Sequence, residues 1–267
     1  MRGRALLVVC LLAAAGCSYA PAEPPEDTRT VTPAAVPTPE STDADAGADE
    51  GGPDGPGIEG GVADGPVLAS QHAGSLSVPH ERIVELRVAD GERTLLRYRE
   101  HRTVSAEESL VNRRYEGPAT ARFVPEIRNA TEAREQRYVV DGDTTRRQFV
   151  DRQQRDGAPP LAAPIDSDPE TVGVLLDGAV VTSRTRTLGF RVARDRVDRA
   201  AVPDFFEATD ADDGRVRAVV RDGGRVTRLI VRYDAILDGR RVTVTRRVAW
   251  TGTGRTDLRP EWADDRY

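Results

Sequence analysis

The fold is decided by residues 83–98, which read IVELRVADGERTLLRY. Apolar and charged side chains alternate on both sides of Asp90-Gly91, and an Asp-Gly pair between two alternating runs is the strongest short-range signal for a β-hairpin. Because successive side chains of a strand point to opposite faces, the alternation indicates a sheet with one buried face and one wet face. The stretch therefore predicts two antiparallel strands at the start of a folded domain.

The same hairpin signal recurs further along the chain. Alternating apolar runs flank Asp141-Gly142, Gly223-Gly224 and Asp238-Gly239, and short strand candidates at 109–115 and 119–124 lie between the first two hairpins. These runs are too numerous for one small sheet, so the sequence predicts eight or more strands in a mostly antiparallel arrangement.

Two helices are predicted to interrupt the strands. The segment 166–181 begins with Asp166, carries an early Pro169, and continues with apolar residues at helical spacing, which is the pattern of a helix N-terminus and an amphipathic helix. A weaker helix is predicted over 196–208, with a strand at 187–192 between the two helices.

The amino terminus has the pattern of an export signal. Arg2 and Arg4 precede an apolar run at 5–15, and small residues lead to Gly16-Cys17. A Cys at this position resembles the lipobox of bacterial and archaeal lipoproteins, in which the Cys becomes the lipid-bearing first residue. A plain secretory signal is the alternative, whereas a spanning anchor is disfavoured because the run is about half of the ~20 residues that one needs. Residues 1–17 are therefore predicted to be a lipoprotein signal peptide.

Residues 18–75 are predicted to form a disordered linker. The segment is rich in Pro, Gly, Ala, Thr and acidic residues, and it holds eleven acids against Arg29 alone. Such a composition buries too little apolar surface to offset its ordering entropy. The linker is interpreted as a spacer that holds a folded domain, residues 76–267, away from the membrane.

Composition excludes several classes of chemistry. Cys10 and Cys17 are the only cysteines, so the folded domain has no disulfide, thiol nucleophile or Cys-based metal site. The three histidines, His72, His80 and His101, lack metal-ligating spacing and are expected to be exposed polar residues. No nucleotide-binding or hydrolase motif occurs. The sequence therefore predicts no metal, no cofactor and no enzymatic activity.

The acidic balance of the chain comes from the linker. Without the signal and the linker, 35 Arg and 33 acidic residues remain, a net charge of +2. Arg is interleaved with Asp and Glu in this part, whereas nucleic-acid binding requires clustered positive charge, so no nucleic-acid partner is predicted.

A lipobox, an acidic Pro-rich spacer, long hairpins, a central helical insert and a terminal Leu258-Arg259-Pro260-Glu261-Trp262 occur together. In this combination the chain resembles uncharacterised lipoproteins of halophilic archaea, which are similar to the LolA and LppX lipoprotein carriers. The resemblance covers about residues 76–267. It implies a mainly β (α+β) fold, with a single strongly curved antiparallel sheet, a half-barrel, and one or two helices on its concave side.

Carriers of this fold bind acyl chains in the concave cavity, so the resemblance implies a hydrophobic-ligand site between sheet and helices. A filled core would use the same apolar side chains, and the sequence leaves both interpretations open. The predicted lining comprises Leu86, Val88, Leu96, Tyr98, Phe123, Phe149, Leu175, Leu176, Phe190, Phe205, Phe206, Tyr233 and Trp250.

The sequence thus predicts a protein on the outer face of the cell membrane, anchored through lipidated Cys17, that binds or carries a lipid or another apolar small molecule. The alternative is a non-enzymatic cell-envelope module with a filled core that holds a protein partner. Asn129 begins an Asn-Ala-Thr sequon and is a candidate glycosylation site.

Overall fold

Alternating apolar and polar side chains organise most of the chain into strands. The computed structural model describes residues 54–76, 79–124, 127–164, 169–185, 189–197, 209–221, 223–252 and 258–263. The strands are β1 (Ile58–Glu59), β2 (Val62–Ala63), β3 (His80–Asp90), β4 (Arg93–Val104), β5 (Glu108–Glu116), β6 (Glu132–Val140), β7 (Asp143–Val150), β8 (Gln153–Gln154), β9 (Val180–Arg184), β10 (Gly189–Val197), β11 (Thr209–Arg221), β12 (Val226–Leu237) and β13 (Arg240–Gly252). The helices are α1 (Gly65–Ser75) and α2 (Pro169–Leu176), with 3₁₀ turns at Thr120–Phe123 and Glu261–Ala263.

The predicted antiparallel architecture is confirmed. The thirteen strands form one unclosed sheet in the order β1-β2-β9-β10-β11-β12-β13-β3-β4-β5-β6-β7-β8, and every strand pair is antiparallel. The described part of the chain contains two α-helices. All four predicted hairpins form. Asp141-Gly142 and Asp238-Gly239 have positive φ at both residues, the geometry of a type I′ turn.

The sheet has a buried inner face and a solvent-facing outer face. In β3, Val84, Leu86 and Val88 are buried, whereas Glu85 and Arg87 between them are exposed. The inner side chains of β3 and of β9–β13 pack with Leu68 of α1 and with the apolar side of α2 in one cluster. The two helices therefore cover the inner face of this half of the sheet.

The predicted linker boundary at residue 75 is wrong. Residues 58–75 form β1, β2 and α1, and Leu68 is fully buried in the core. Asp64 caps α1, because its carboxylate accepts a hydrogen bond from the Val67 amide at 3.0 Å. The composition of this stretch does not indicate the capped helix, because the burial of that helix comes from tertiary packing. The signal peptide and the first part of the predicted linker lie outside the described residues.

Two further local predictions differ from the structure. Residues 120–123 form a 3₁₀ turn rather than a strand. Gly117 ends β5 with a φ of +113°, and β5 pairs directly with β6, so the intervening residues serve as their connection. A weaker helix is predicted over 196–208. Residues 196–197 of this range belong to β10 instead, and 198–208 lie outside the described residues.

The contact between α1 and α2 supplies a test of packing. A Cβ built at Gly173 of α2 would lie 2.8 Å from the Ala69 Cβ and 2.9 Å from the Gly65 carbonyl oxygen, whereas one at Gly74 of α1 would meet nothing within 4 Å. Gly173→Ala is therefore expected to lower the free energy of unfolding by about 1–3 kcal/mol. Gly74→Ala is expected to raise it by up to about 1 kcal/mol through helix propensity alone. Urea titration of both variants makes the comparison, and equal effects would contradict the close helix contact.

Candidate functional site

Most residues predicted to line a ligand cavity meet in the core. The members that share the main cluster of buried side chains are Leu86, Val88, Leu96, Tyr98, Phe123, Leu175, Leu176, Phe190, Tyr233 and Trp250. Phe205 and Phe206 lie outside the described residues. Phe149 is not with the others, because its neighbour Val150 occupies the inner position and the two-residue period of the strand directs Phe149 to the outer face.

The packing of these residues favours a filled core over an open cavity. The ten clustered residues have between 0 and 6% of their surface exposed. A side chain that borders a void able to hold water would expose surface to that void, so these side chains contact other atoms on nearly all sides.

His72 is buried rather than exposed as predicted. It belongs to α1, none of its surface is accessible, and its ring meets that of Trp250 edge-on, with centroids 4.5 Å apart. Neither ring nitrogen has a hydrogen-bond partner. Burial, with smaller contributions from the positive charges of Arg225 and His80, lowers the pKa of His72 to about 4. The folded protein therefore holds a neutral imidazole at neutral pH.

A second part of the inner face is polar. One row of paired positions crosses strands β4 to β7 and consists of Glu100, Arg113, Glu135 and Gln148. On β3 and β4, Arg82 lies opposite Arg102 beside this row. This inner polar cluster comprises Arg82, Glu100, Arg102, Arg113, Glu135, Arg137, Arg146 and Gln148. It contains five arginines and two glutamates, so it carries excess positive charge inside the fold.

Glu100 is the best-satisfied member of the inner polar cluster. Its carboxylate accepts hydrogen bonds from Arg82 Nη2 at 2.5 Å, Tyr98 Oη at 2.8 Å and Arg113 Nε at 2.9 Å. Burial alone would raise the pKa of Glu100, but the guanidinium groups of Arg82 and Arg113 outweigh burial and hold the pKa at about 2. Glu100 is therefore ionised at all physiological pH values.

Glu135 is placed less favourably. Its carboxylate lies 3.5 Å from Arg113 Nη1 and 3.9 Å from Arg146 Nε, and the backbone amide of Leu161 approaches it without the geometry of a full hydrogen bond. Burial raises the pKa of Glu135 despite the neighbouring arginines. Gln148, on the adjacent strand, lacks partners for both ends of its amide. The cluster thus retains unused hydrogen-bonding capacity beside the apolar core.

The outer face of the sheet bears two adjoining grooves rich in arginine. The first has a volume of about 860 Å³ and crosses strands β12, β13, β3, β4 and β5, and the second, about 740 Å³, crosses β4–β7. Arg99 and Arg114 line both. The arginines that point outward from these strands and line the two grooves are called the arginine face. They are Arg87, Arg97, Arg99, Arg114, Arg134, Arg232 and Arg247.

Acidic side chains neutralise only part of the arginine face. Glu116 lies 2.5 Å from Arg114 Nη2, and Glu132 lies 2.6 Å from Arg134 Nη2. Glu85 is 3.8 Å from Arg99 Nε, a looser contact between two exposed groups. In the part of the chain that the structure describes, Arg97, Arg232 and Arg247 form no ion pair.

The remaining predicted sites are distributed as follows. Asn129 is exposed in a turn before β6, so its amide is accessible. Cys17 lies outside the described residues. The described residues contain no group of three or more His, Cys, Asp or Glu arranged to hold a metal ion. Among the same residues, none of the helices has both the length and the apolar character to cross a membrane.

These features define a mainly β protein built on one unclosed antiparallel sheet, with a buried face and an arginine-rich face. Among solved structures, a DUF1329 family protein from Desulfovibrio piger is similar, with 10% sequence identity and a TM-score of 0.25 over 70% of this chain and 90% of that chain. No family model and no curated protein matches. The predicted kinship with haloarchaeal lipoproteins stays a prediction.

Proposed function

We propose that the protein is a non-enzymatic binding module anchored through lipidated Cys17 to the outer face of the cell membrane, where it holds a cell-envelope partner. This proposal rests on the close burial of the predicted cavity lining. A module that binds its partner through its surface needs a filled core rather than an internal cavity. The arginine-rich grooves supply a charged surface for recognition.

The anchor has a simple test within the chain. Cys17→Ser in the native host is expected to abolish incorporation of labelled lipid and to release the protein from the membrane fraction. Cys10→Ser is the matched control, since Cys10 is the only other cysteine and precedes the processing site. Membrane association that persists without label in the Cys17 variant would contradict lipid anchoring.

A second candidate function is the binding of a hydrophobic ligand with an acidic headgroup. It is favoured by the inner polar cluster, where the amide of buried Gln148 keeps unpaired atoms and positive charge is in excess beside the apolar core. An acyl chain would then replace contacts of the helices with the inner face.

Native mass spectrometry of the protein purified from its host separates the two candidates. The binding module is expected to have the mass of the processed chain and its covalent lipid. A ligand carrier is expected to show an additional lipid that denaturing conditions remove. Recovery of such a lipid at near-stoichiometric occupancy would overturn the filled-core proposal.

A further inference from the structure

We infer that the arginine face docks on the anionic headgroups of the membrane itself. The inference rests on the proposed location of the protein at the membrane surface and names the surface that its outer face recognises. The argument begins with charge. The seven arginines of the face are accompanied in the two grooves by three outward glutamates, Glu85, Glu116 and Glu132.

The register of the sheet places arginines directly opposite one another. Arg87 faces Arg97 between β3 and β4, and Arg114 lies between Arg99 and Arg134 on its two neighbouring strands. Like charges in opposing positions of adjacent strands destabilise a sheet. The same register sets Glu116 opposite Arg97 and Glu85 opposite Arg99, which relieves part of this repulsion. An anionic partner would relieve the remainder.

Paired guanidinium groups suit phosphate in particular. A guanidinium presents its donors in a planar fork that can bind two oxygens of a phosphate at once. Adjacent strands are about 4.8 Å apart, so two facing arginines can close on one phosphate from both sides. The exposed fractions of the Arg99 and Arg134 side chains, 61% and 51%, leave these groups accessible.

The other residues of the face disfavour nucleic acid and protein partners. Single-stranded nucleic acids bind to rows of stacking aromatic side chains, whereas the rings among the groove-lining residues are half-buried Phe149, the His101 imidazole and buried Tyr98. Protein interfaces centre on bulky apolar anchors. The exposed large apolar residues in the described ranges are Val62, Val67, Val174 and Val180, and none of these lines either groove.

The anchor would keep the face near its target. Thirty-six residues separate Cys17 from Asp54, so the chain cannot span more than roughly 130 Å between them, even fully extended. A lipid anchor combined with a basic patch is a common two-signal means of membrane attachment. The lipid would confine the domain to the surface, and the arginine face would orient it.

The test uses the chain from Ser18 onward, which keeps every described element but lacks the lipid site. Partitioning is measured by sedimentation with vesicles of phosphatidylcholine, with and without 30% phosphatidylglycerol (about one anionic lipid in three). The variant is Arg97→Glu combined with Arg232→Glu, chosen because both side chains are exposed and neither forms an ion pair with another described residue. The control is Arg128→Glu combined with Arg240→Glu, exposed residues outside both grooves that change the net charge equally.

We expect binding to the anionic vesicles that weakens with added salt, and little binding to neutral vesicles. Each basic residue near an anionic surface strengthens binding about fivefold, so loss of Arg97 and Arg232 should weaken it at least roughly 25-fold. The control should lose much less.

Equal losses in the two variants, or binding that ignores lipid charge, would overturn the inference. So would a face variant that loses binding to duplex DNA or to a polyglutamate peptide but retains binding to the vesicles. Because the lipid site is absent from the protein used, failure here leaves anchoring through Cys17 unaffected, and failure of anchoring leaves this result unaffected.

Discussion

Glu100→Gln is expected to lower the free energy of unfolding by about 3–5 kcal/mol, as measured by urea titration at pH 7. The substitution keeps the size of the side chain but removes the charge that Arg82 and Arg113 share through hydrogen bonds. Removing one partner of a buried ion pair is costly because the remaining charge stays desolvated and loses its nearest counter-charge. Here two guanidinium groups would be affected, with side chains 17% and 14% exposed.

Glu85→Gln provides the matched control on the opposite face. Glu85 is 47% exposed and lies 3.8 Å from Arg99, so its loss should cost less than about 1 kcal/mol. The contrast tests whether stability depends on the inner polar cluster or on ion pairs in general. A loss for Glu100→Gln no larger than that for Glu85→Gln would contradict the role given to Glu100.

The second large effect is a loss of stability in mild acid that depends on His72. The pKa of His72 is about 4 in the folded protein, below its ordinary value of 6.5, so the unfolded chain takes up a proton first as the pH falls. Stability from this residue is complete above pH 6.5 and is lost progressively between pH 6.5 and 4. The loss should reach about 3 kcal/mol over this interval, at about 1.4 kcal/mol per pKa unit.

His72→Phe should remove this component of the pH dependence. Phenylalanine keeps an aromatic ring against Trp250 and leaves no unpaired ring nitrogen. The measurement is the free energy of unfolding at pH 7, 6, 5 and 4 for the native chain and for the variant. His101→Phe is the control for replacing a histidine ring by a phenyl ring at a more accessible position, because the His101 side chain is 41% exposed. Parallel pH curves for the native chain and His72→Phe would refute the prediction.

The sequence was sufficient to predict the hairpins because local signals determine them. Asp-Gly pairs fix the turns, and a two-residue period fixes which face each side chain takes. The same period should have excluded Phe149 from the interior, since Val150 follows it and only one of two successive residues can point inward. Phe149 was predicted to lie in the core from its apolar character alone.

The inner polar cluster and the arginine face depend on information that single strands do not carry. Glu100 and Arg113 occupy inward positions, but their charges compensate each other only because β4 and β5 pair in a particular register. The alternation predicts that Arg99 and Arg114 point outward. The same register places Arg99 opposite Arg114. It thereby concentrates positive charge that is interleaved with negative charge along the sequence. Burial of His72 likewise requires α1 to pack near Trp250.

The unclosed sheet ends in very short strands, and this has a consequence for crowding. Its outermost strands, β1 and β8, have two residues each. A longer free edge would offer a row of unpaired amides and carbonyls to any neighbouring copy. Many copies confined to one surface would meet edge to edge far more often than molecules in solution. The two-residue end strands cover only part of their neighbours, because β8 pairs with Phe149 and Val150 alone in β7. The rest of the β7 edge carries Arg146 and Arg147, and charged side chains at a sheet edge oppose pairing with neighbouring copies on a crowded surface.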